Sequence, residues 1–370
     1  MKTYYARRDL TVDIIRGIAT VVMTFAHCSA VILNQRQQQM FLVRLAASFA
    51  APLFIFMSGM MVGRSCHTRK TILWFPLLQR SLLLLCISSI LLEVGIYGIL
   101  PFASMDVLSL IGLSLPLTTC LHRLSITTRC IFTMAVFAVT PALQHYFQYR
   151  DEMDVWGFVD IVTIKELEEY IREEIPLRMF IDGSFPLFPW LGFAWAGSIF
   201  ATWRWGGPSE PSKFPKCVRS PNLMIGVFIA ILGAALWYQS PGPAYIRSGF
   251  CELFYPTTTG YSLTAFGFIL MIFSLVDLSF IQDKHWLLTT VYKKLLISLG
   301  RRSLFVYLFQ YTILFRVLYP FHIGPDLSTM EQLFMFLLIF VACFVASEMI
   351  DRVKTHWKTK SLVLQVILGS

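Results

Sequence analysis

Charge is scarce in this 370-residue chain: 14% of its residues are Asp, Glu, Lys or Arg, where soluble domains carry roughly 25%. The shortfall runs along the whole length, which excludes an ordinary soluble domain. The eight cysteines are scattered. No Cys-x-x-Cys occurs, no Cys and His spacing suggests a metal site, and neither a disulfide framework nor a redox compartment follows. No internal repeat is visible, which disfavours the inverted-repeat transporters. Acidic residues number 22 against 31 Lys and Arg, for a formal net charge of +9. The excess is not interleaved with aromatics as on a nucleic-acid surface, so no nucleic-acid partner is expected.

Apolar runs are abundant. The chain is 56% hydrophobic, with a mean hydropathy of +0.63. A membrane span needs about 20 mostly apolar residues. Runs near 12–33, 40–62, 72–92, 102–121, 126–144, 185–203, 221–240, 256–277, 302–320 and 329–349 meet that need. The first is too long for a signal-peptide core and similar runs follow it, so it reads as a retained span. The expected fold is an all-α integral membrane protein in the lipid bilayer, a bundle of about ten transmembrane helices forming a single domain over residues 1–370.

Orientation follows from the loops. Arg7 and Arg8 precede the first run; Arg64, Arg69 and Lys70 follow the second; Arg123 and Arg129 flank the fourth loop; Arg204, Lys213, Lys216 and Arg219 fill the sixth. Lys284, Lys293, Lys294, Arg301 and Arg302 precede the ninth run, and Arg352, Lys354, Lys358 and Lys360 follow the last. Basic residues thus mark the even-numbered connections and both ends, which puts both termini in the cytoplasm. The loop over 145–184 is the long one outside, and it is acidic. Its stretch "IKELEEYIREEI" has the pattern of a short amphipathic helix on the membrane surface. A solvated acidic face is the plain reading of this loop; a lid over an outward site is the functional one.

The first run, "TVDIIRGIATVVMTFAHCSA", keeps Asp13, Arg16 and His27. At about 100° per residue, these three share one face with Gly17, Thr20 and Thr24. The other face is apolar. The polar stripe should therefore face the bundle interior or a wet cavity, because intramembrane charge is costly and marks function by default. Asp13 and Arg16 are one turn apart at the cytoplasmic end and can pair. His27 lies about 21 Å further along the axis, just outward of mid-membrane. The plain readings are a structural ion pair and a His bonded to a neighbouring carbonyl.

"RRDLTVDIIRGIATVVMTFAH" resembles the signature that opens the bacterial membrane proteins grouped with heparan-alpha-glucosaminide N-acetyltransferase, within the wider transmembrane acyltransferases. "ASFAAPLFIFMSGMMVGRS", "FPLFPWLGFAWAGSIF" and "LGRRSLFVYLFQY" resemble three further segments in the family's order. The likeness runs from residue 8 to about residue 311. It implies transfer of an acyl group, usually acetyl, from cytoplasmic acyl-CoA to a sugar hydroxyl or amine across the membrane, with the polar stripe lining the route. Relatives often place His where Gln310 stands here, and the next His after His27 is His67, on the cytoplasmic side. The chemistry would then lean on His27.

Acyl transfer needs a base, donors for the oxyanion and cations for the CoA phosphates. His27 is the expected general base or transient acyl carrier; residue types do not choose between the two. Gln310 and Tyr307 are the expected oxyanion donors. Asp13 would position Arg16. Arg16, Arg64, Arg69, Lys70 and Arg80 are the candidates for CoA, with Arg80 singled out because "LLQRSLLLL" sets it inside an apolar helix. Gly59 and Gly63 form Gly-x-x-x-Gly, read first as close helix packing and second as a backbone approach to the cofactor. Asp106, Glu252 and Glu348 lie in or near spans with no assigned partner. No metal is expected, and a homodimer is compatible with the reading. The lysosomal branch has a luminal N-terminal extension that is not seen here, so a bacterial inner membrane is the expected location. Two rivals remain: a proton-coupled transporter using His27 with an Asp13–Arg16 gate, and a non-catalytic partner in a polysaccharide-export assembly.

Overall fold

The structure, a computed structural model, describes residues 9–68, 73–150, 156–161, 163–206, 220–239, 252–281 and 290–356. Its principal helices are α1 (Leu10–Ile32), α2 (Ala50–Thr68), α3 (Trp74–Cys86), α4 (Val107–Leu121), α5 (Ile126–Tyr146) and α6 (Leu187–Trp205). They continue as α7 (Ser220–Gln239), α8 (Thr259–Ile281), α9 (Thr290–Arg301), α10 (Ser303–Tyr311) and α11 (Thr329–His356). A short helix, Phe41–Ala47, leads into α2, while α3 and α10 run on as the π-helices Ile87–Tyr97 and Thr312–Leu318. No strand forms among the described residues. Every expected span falls on a helix, and α9 is the addition. By length and composition, 8 helical segments among the described residues suit a membrane crossing. The other two expected spans, on α4 and α6, fall short in length or apolarity. The outward faces of α7 and α11 carry exposed apolar side chains such as Phe228, Ile231, Phe334 and Leu337, as lipid-facing helices do.

Glycines bring several helix pairs together backbone to backbone, α7 with α8 at Gly233 and Gly267 among them, and two such pairs bear on the site. A Cβ added at Gly59 would overlap the Ala194 carbonyl, and one at Gly197 would overlap that of Phe56. Gly59 and Gly63 therefore seat α2 on α6, and the alternative of a backbone approach to a cofactor is set aside. Likewise a Cβ at Gly17 would overlap the Leu296 carbonyl, and one at Gly300 that of Asp13. This second contact corrects an expectation. The lower half of the α1 stripe lies under α9 and cannot line a wet route. Thr20 and Thr24 donate to Arg16 O and Thr20 O in their own helix, both at 2.9 Å. A leucine at Gly59 or Gly197 is expected to cost at least about 3 kcal/mol, because overpacking against backbone has no flexible neighbour to give way. Gly157→Ala, whose Cβ would meet nothing closer than 3.4 Å, should change stability by less than about 0.5 kcal/mol. Melting curves in one detergent compare the two.

At the end where α1 begins and α6 and α8 finish, Arg204 is 1% exposed and joins all three. Its Nε donates to Asp9 Oδ2 at 2.7 Å and its Nη1 to Asp277 Oδ2 at 2.9 Å. Thr11 donates to Asp277 at 2.8 Å and the Trp205 indole to Asp9 at 3.1 Å. Arg204 was expected among the solvated loop cations; it is a buried tie instead. Arg129, expected beside it as a flanking charge, is also buried, with Nη1 at 3.1 Å from both His122 Nδ1 and Thr202 Oγ1.

The acidic loop folds as one helical run from Ile164 to Asp182 that alternates α and π turns. Its acids divide. Glu168 is solvated, whereas Glu174 and Asp182 hold Arg150 at 2.9 and 2.7 Å. These carboxylates raise the Arg150 guanidinium further above its ordinary value despite burial.

Candidate active site

His27 opens into a cavity of about 130 Å³. The wall is built by helical spacing. From α1 come Met23, Ala26 and His27; from α10 come Ser303, Tyr307 and Tyr311, four residues apart on one face. The first turns of α2 and α4 give Ala50, Phe54, Val107 and Ile111, and the connecting loops give Asp106, Phe185, Glu252 and Phe254. All of these lie toward the end of the bundle where α1 finishes and α2, α4 and α6 begin.

The imidazole is fixed on several sides. Its Nδ1 stands 2.8 Å from Gln310 Nε2. Its ring meets Tyr311 edge-on at 4.5 Å between centroids and Tyr307 at 5.6 Å. The Tyr307 hydroxyl donates to Asp106, 2.8 and 2.9 Å from its two oxygens. Asp106 also caps α4, accepting from Leu108 N–H at 3.2 Å. Here the structure supplies the partner that Asp106 lacked.

The loop that leads into Asp106 is held by a buried acid. The Glu93 carboxylate, fully buried, accepts from the backbone N–H of Phe102, Ser104 and Met105 and from the Ser104 hydroxyl. Phe102 and Met105 adopt φ of 65° and 54°, a left-handed conformation uncommon for such residues. It aims successive N–H groups at one anion. The same loop seats Phe185 in the cavity, since Phe185 N–H donates to Met105 O at 3.0 Å. Glu93 was missed in the sequence, although a lone acid in an apolar run is the same signal that singled out Arg80.

The expected oxyanion donors are therefore otherwise employed. Tyr307 spends its one proton on Asp106, and the Gln310 amide faces His27. The Gln310 Oε1 is buried with no hydrogen-bond partner among the described residues. Turning the amide over would let that oxygen accept from Nδ1–H. Nδ1 would then carry the proton and Nε2 the lone pair. A His tautomer is set by what the other ring nitrogen bonds, and the orientation of an amide is an assignment. Gln310 is thus placed to orient His27. Gln310→Leu should lower turnover by about tenfold to a hundredfold with the melting temperature little changed, whereas Gln310→Glu, which can only accept from Nδ1–H, should keep more of the rate. A leucine variant as fast as wild type would remove this role.

A second cavity, about 270 Å³, lies at the other end. Ser58, Met61, Ser65 and Cys66 of α2, Arg80 of α3, and Leu115 and Thr119 of α4 line it. Of the expected CoA residues, Arg80 lines this cavity. Arg64 sits with its guanidinium 5.0 Å over the Trp205 ring. Asp13 is buried where α9 crosses α1, and neither it nor Arg16 lines either of these two cavities. Arg69 and Lys70 lie outside the described residues. Beyond this cavity the His67 and His122 rings meet at 4.7 Å. Burial, with Arg129 and His67 alongside, pushes His122 down to about 3, so it is neutral at physiological pH.

None of the curated proteins compared matches the chain. Residues 8–238 match the family described as heparan-alpha-glucosaminide N-acetyltransferase, catalytic. The match takes in His27, both cavity-lining helices α2 and α4, and Arg80, while Glu252, Tyr307 and Gln310 lie past its end. It covers well over half of the sequence, and on that ground this membrane-embedded chain belongs to the heparan-alpha-glucosaminide N-acetyltransferase family, a family of transmembrane acetyltransferases.

Proposed function

We propose that the protein passes an acetyl group from acetyl-CoA, bound at the cavity of Arg80, to a hydroxyl or amine of a sugar held in the cavity of His27. The observation that carries this is the alignment of the two cavities along one seam. On α2, Ala50 and Phe54 face the first cavity, and Ser58, Met61 and Ser65, on the same face, line the second. On α4, Val107 and Ile111 are followed by Leu115 and Thr119 in the same way. From Phe54 to Ser58, and from Ile111 to Leu115, is one helical turn, about 6 Å. A thioester reaching up from one side and an acceptor reaching down from the other would meet there.

His27, with Nδ1–H held by Gln310, takes the acceptor's proton at Nε2 as its oxygen or nitrogen attacks the acetyl carbonyl. The CoA thiolate leaves and is later protonated. The alternative order, with the acetyl resting on His27 first, uses the same geometry and gives ping-pong kinetics. The basic connections favour an orientation with the Arg80 end, and both termini, in the cytoplasm. That orientation suits a bacterial inner membrane with the glycan outside.

Purified protein incubated with radiolabelled acetyl-CoA and glucosamine tests the reading. Free CoA and labelled sugar are expected, and label retained on the protein would choose the acyl-enzyme order. CoA should also raise the melting temperature, since a ligand at a hundredfold over its Kd stabilises by about 2.7 kcal/mol. A folded protein that neither releases nor binds CoA would return the transporter to first place.

A further inference from the structure

The cavity of His27 holds an acid that the transfer chemistry above does not use. Glu252 stands ahead of α8, outside the membrane-crossing segments, and shares the cavity wall with His27 and Asp106. The two carboxylates differ. Asp106 is occupied by the Tyr307 hydroxyl and the Leu108 N–H. Glu252 Oε2 is buried and has no hydrogen-bond partner among the described residues. A buried charged acceptor without a donor is costly, and such atoms in native proteins call for an explanation.

The position of Glu252 is built. Leu253 N–H donates to the Ser48 hydroxyl at 2.7 Å, and the Tyr261 hydroxyl donates to the Ser48 carbonyl at 2.6 Å. Ser48 follows the short helix ahead of α2 and donates its own proton to Arg44 O at 2.6 Å. The loop of Glu252 is thereby tied to the turns of α2 that wall the cavity. Arg44 acts on Glu252 electrostatically but does not line the cavity, and no Lys or Arg does. A ligand entering meets carboxylate, imidazole and apolar wall.

We propose that Glu252 selects the acceptor: its free oxygen accepts a hydrogen bond from an ammonium or hydroxyl group beside the one that is acetylated. A ring bearing a carboxylate or phosphate at that place is rejected. The inference rests on the acetyl-transfer reading for the purpose of the site, and not for the binding itself. Burial pushes the Glu252 carboxyl up to about 7, opposed by its own backbone N–H and by Arg44. The groups that face it are Arg44, Tyr261, Tyr311, Asp106 and His27. The anion that accepts the bond is the form above that value, so acceptor affinity should rise with pH through about 7.

The test is the melting temperature of the full chain in detergent, titrated with glucosamine, methyl glucoside and glucuronate. Glucosamine and methyl glucoside should protect the wild type, and glucuronate should not. Glu252→Gln should weaken the glucosamine response about tenfold or more, as the loss of a charged hydrogen bond does, while CoA protects it as before. In the wild type, the response to methyl glucoside, which has no titrating group, should weaken below about pH 7. This last arm stands even if the glutamine variant fails to fold. Equal responses in wild type and Glu252→Gln, equal protection by glucuronate, a flat pH dependence, or no protection by either neutral or amino sugar would each overturn the proposal. Failure of acetyl transfer alone shows differently, as absent CoA release with the sugar responses intact.

Discussion

His27→Ala should slow acetyl transfer by about three orders of magnitude while leaving the fold and CoA binding in place. General-base catalysis contributes about 10²–10⁴-fold. Glu252, the open carboxylate on the same wall, is taken up in the proposed complex by the group beside the one acetylated. His67, His122, His145 and His322 do not line the cavity. Asp106 is committed to Tyr307 and the start of α4, and Tyr307 has given its proton away. His27→Gln is the closer probe, because its amide keeps the volume and a bond to Gln310 yet takes no proton. It should be as slow as the alanine. CoA release under saturating acetyl-CoA, with the melting curve as the control for folding, reads the effect. Turnover within tenfold of wild type in either variant would remove His27 from the chemistry.

The largest effect on stability is expected at Arg204. Its guanidinium bonds both Asp9 and Asp277, and Nη2 alone lies 3.1 Å from an oxygen of each. Replacing it with methionine strands two carboxylates that are 6% and 1% exposed as residues. Breaking a buried ion pair from one side costs about 3–5 kcal/mol. A lysine keeps the charge but has no planar fork to reach both partners, so it should recover only part of that cost. Asp9→Asn and Asp277→Asn combined with Arg204→Met should recover more, because no charge is left unmatched. Thermal or denaturant unfolding ranks the three. Equal stability of the methionine variant and wild type would mean that the cluster does not tie α1, α6 and α8 together.

The long helices were legible because each run must hide its backbone polar groups from lipid by itself, which leaves a signal some twenty residues wide. His27 was legible for a related reason: an ionisable ring in an apolar run has few places to go. What escaped depends on distant neighbours. Asp106 drew notice as an acid but its partner, Tyr307, is 201 residues away. Glu252 is separated by more than 200 residues from Ser48, which positions its loop. Arg204 read as a loop cation and Asp9 drew no notice, and only folding brings them together. Gly17 lay on the polar face and was counted with it, although its lack of a side chain serves the contact with α9. That helix was itself concealed, since "TVYKKLLISLGR" has a Lys pair and reads as a loop.

One turn of α2 and α4 divides the two cavities. On the proposed route the acetyl group crosses that turn outward without the electron pair of its thioester bond, which stays on sulfur. The proton released by the acceptor and the sulfur that must receive one end on opposite sides. Returning that proton to CoA through the protein balances the charge, and the exchange is indifferent to voltage. Releasing it outside instead leaves one positive charge moved outward, against an inside-negative potential worth about 2.3 kcal/mol per 100 mV. A sealed membrane thus separates two proton routes that are equivalent in a test tube.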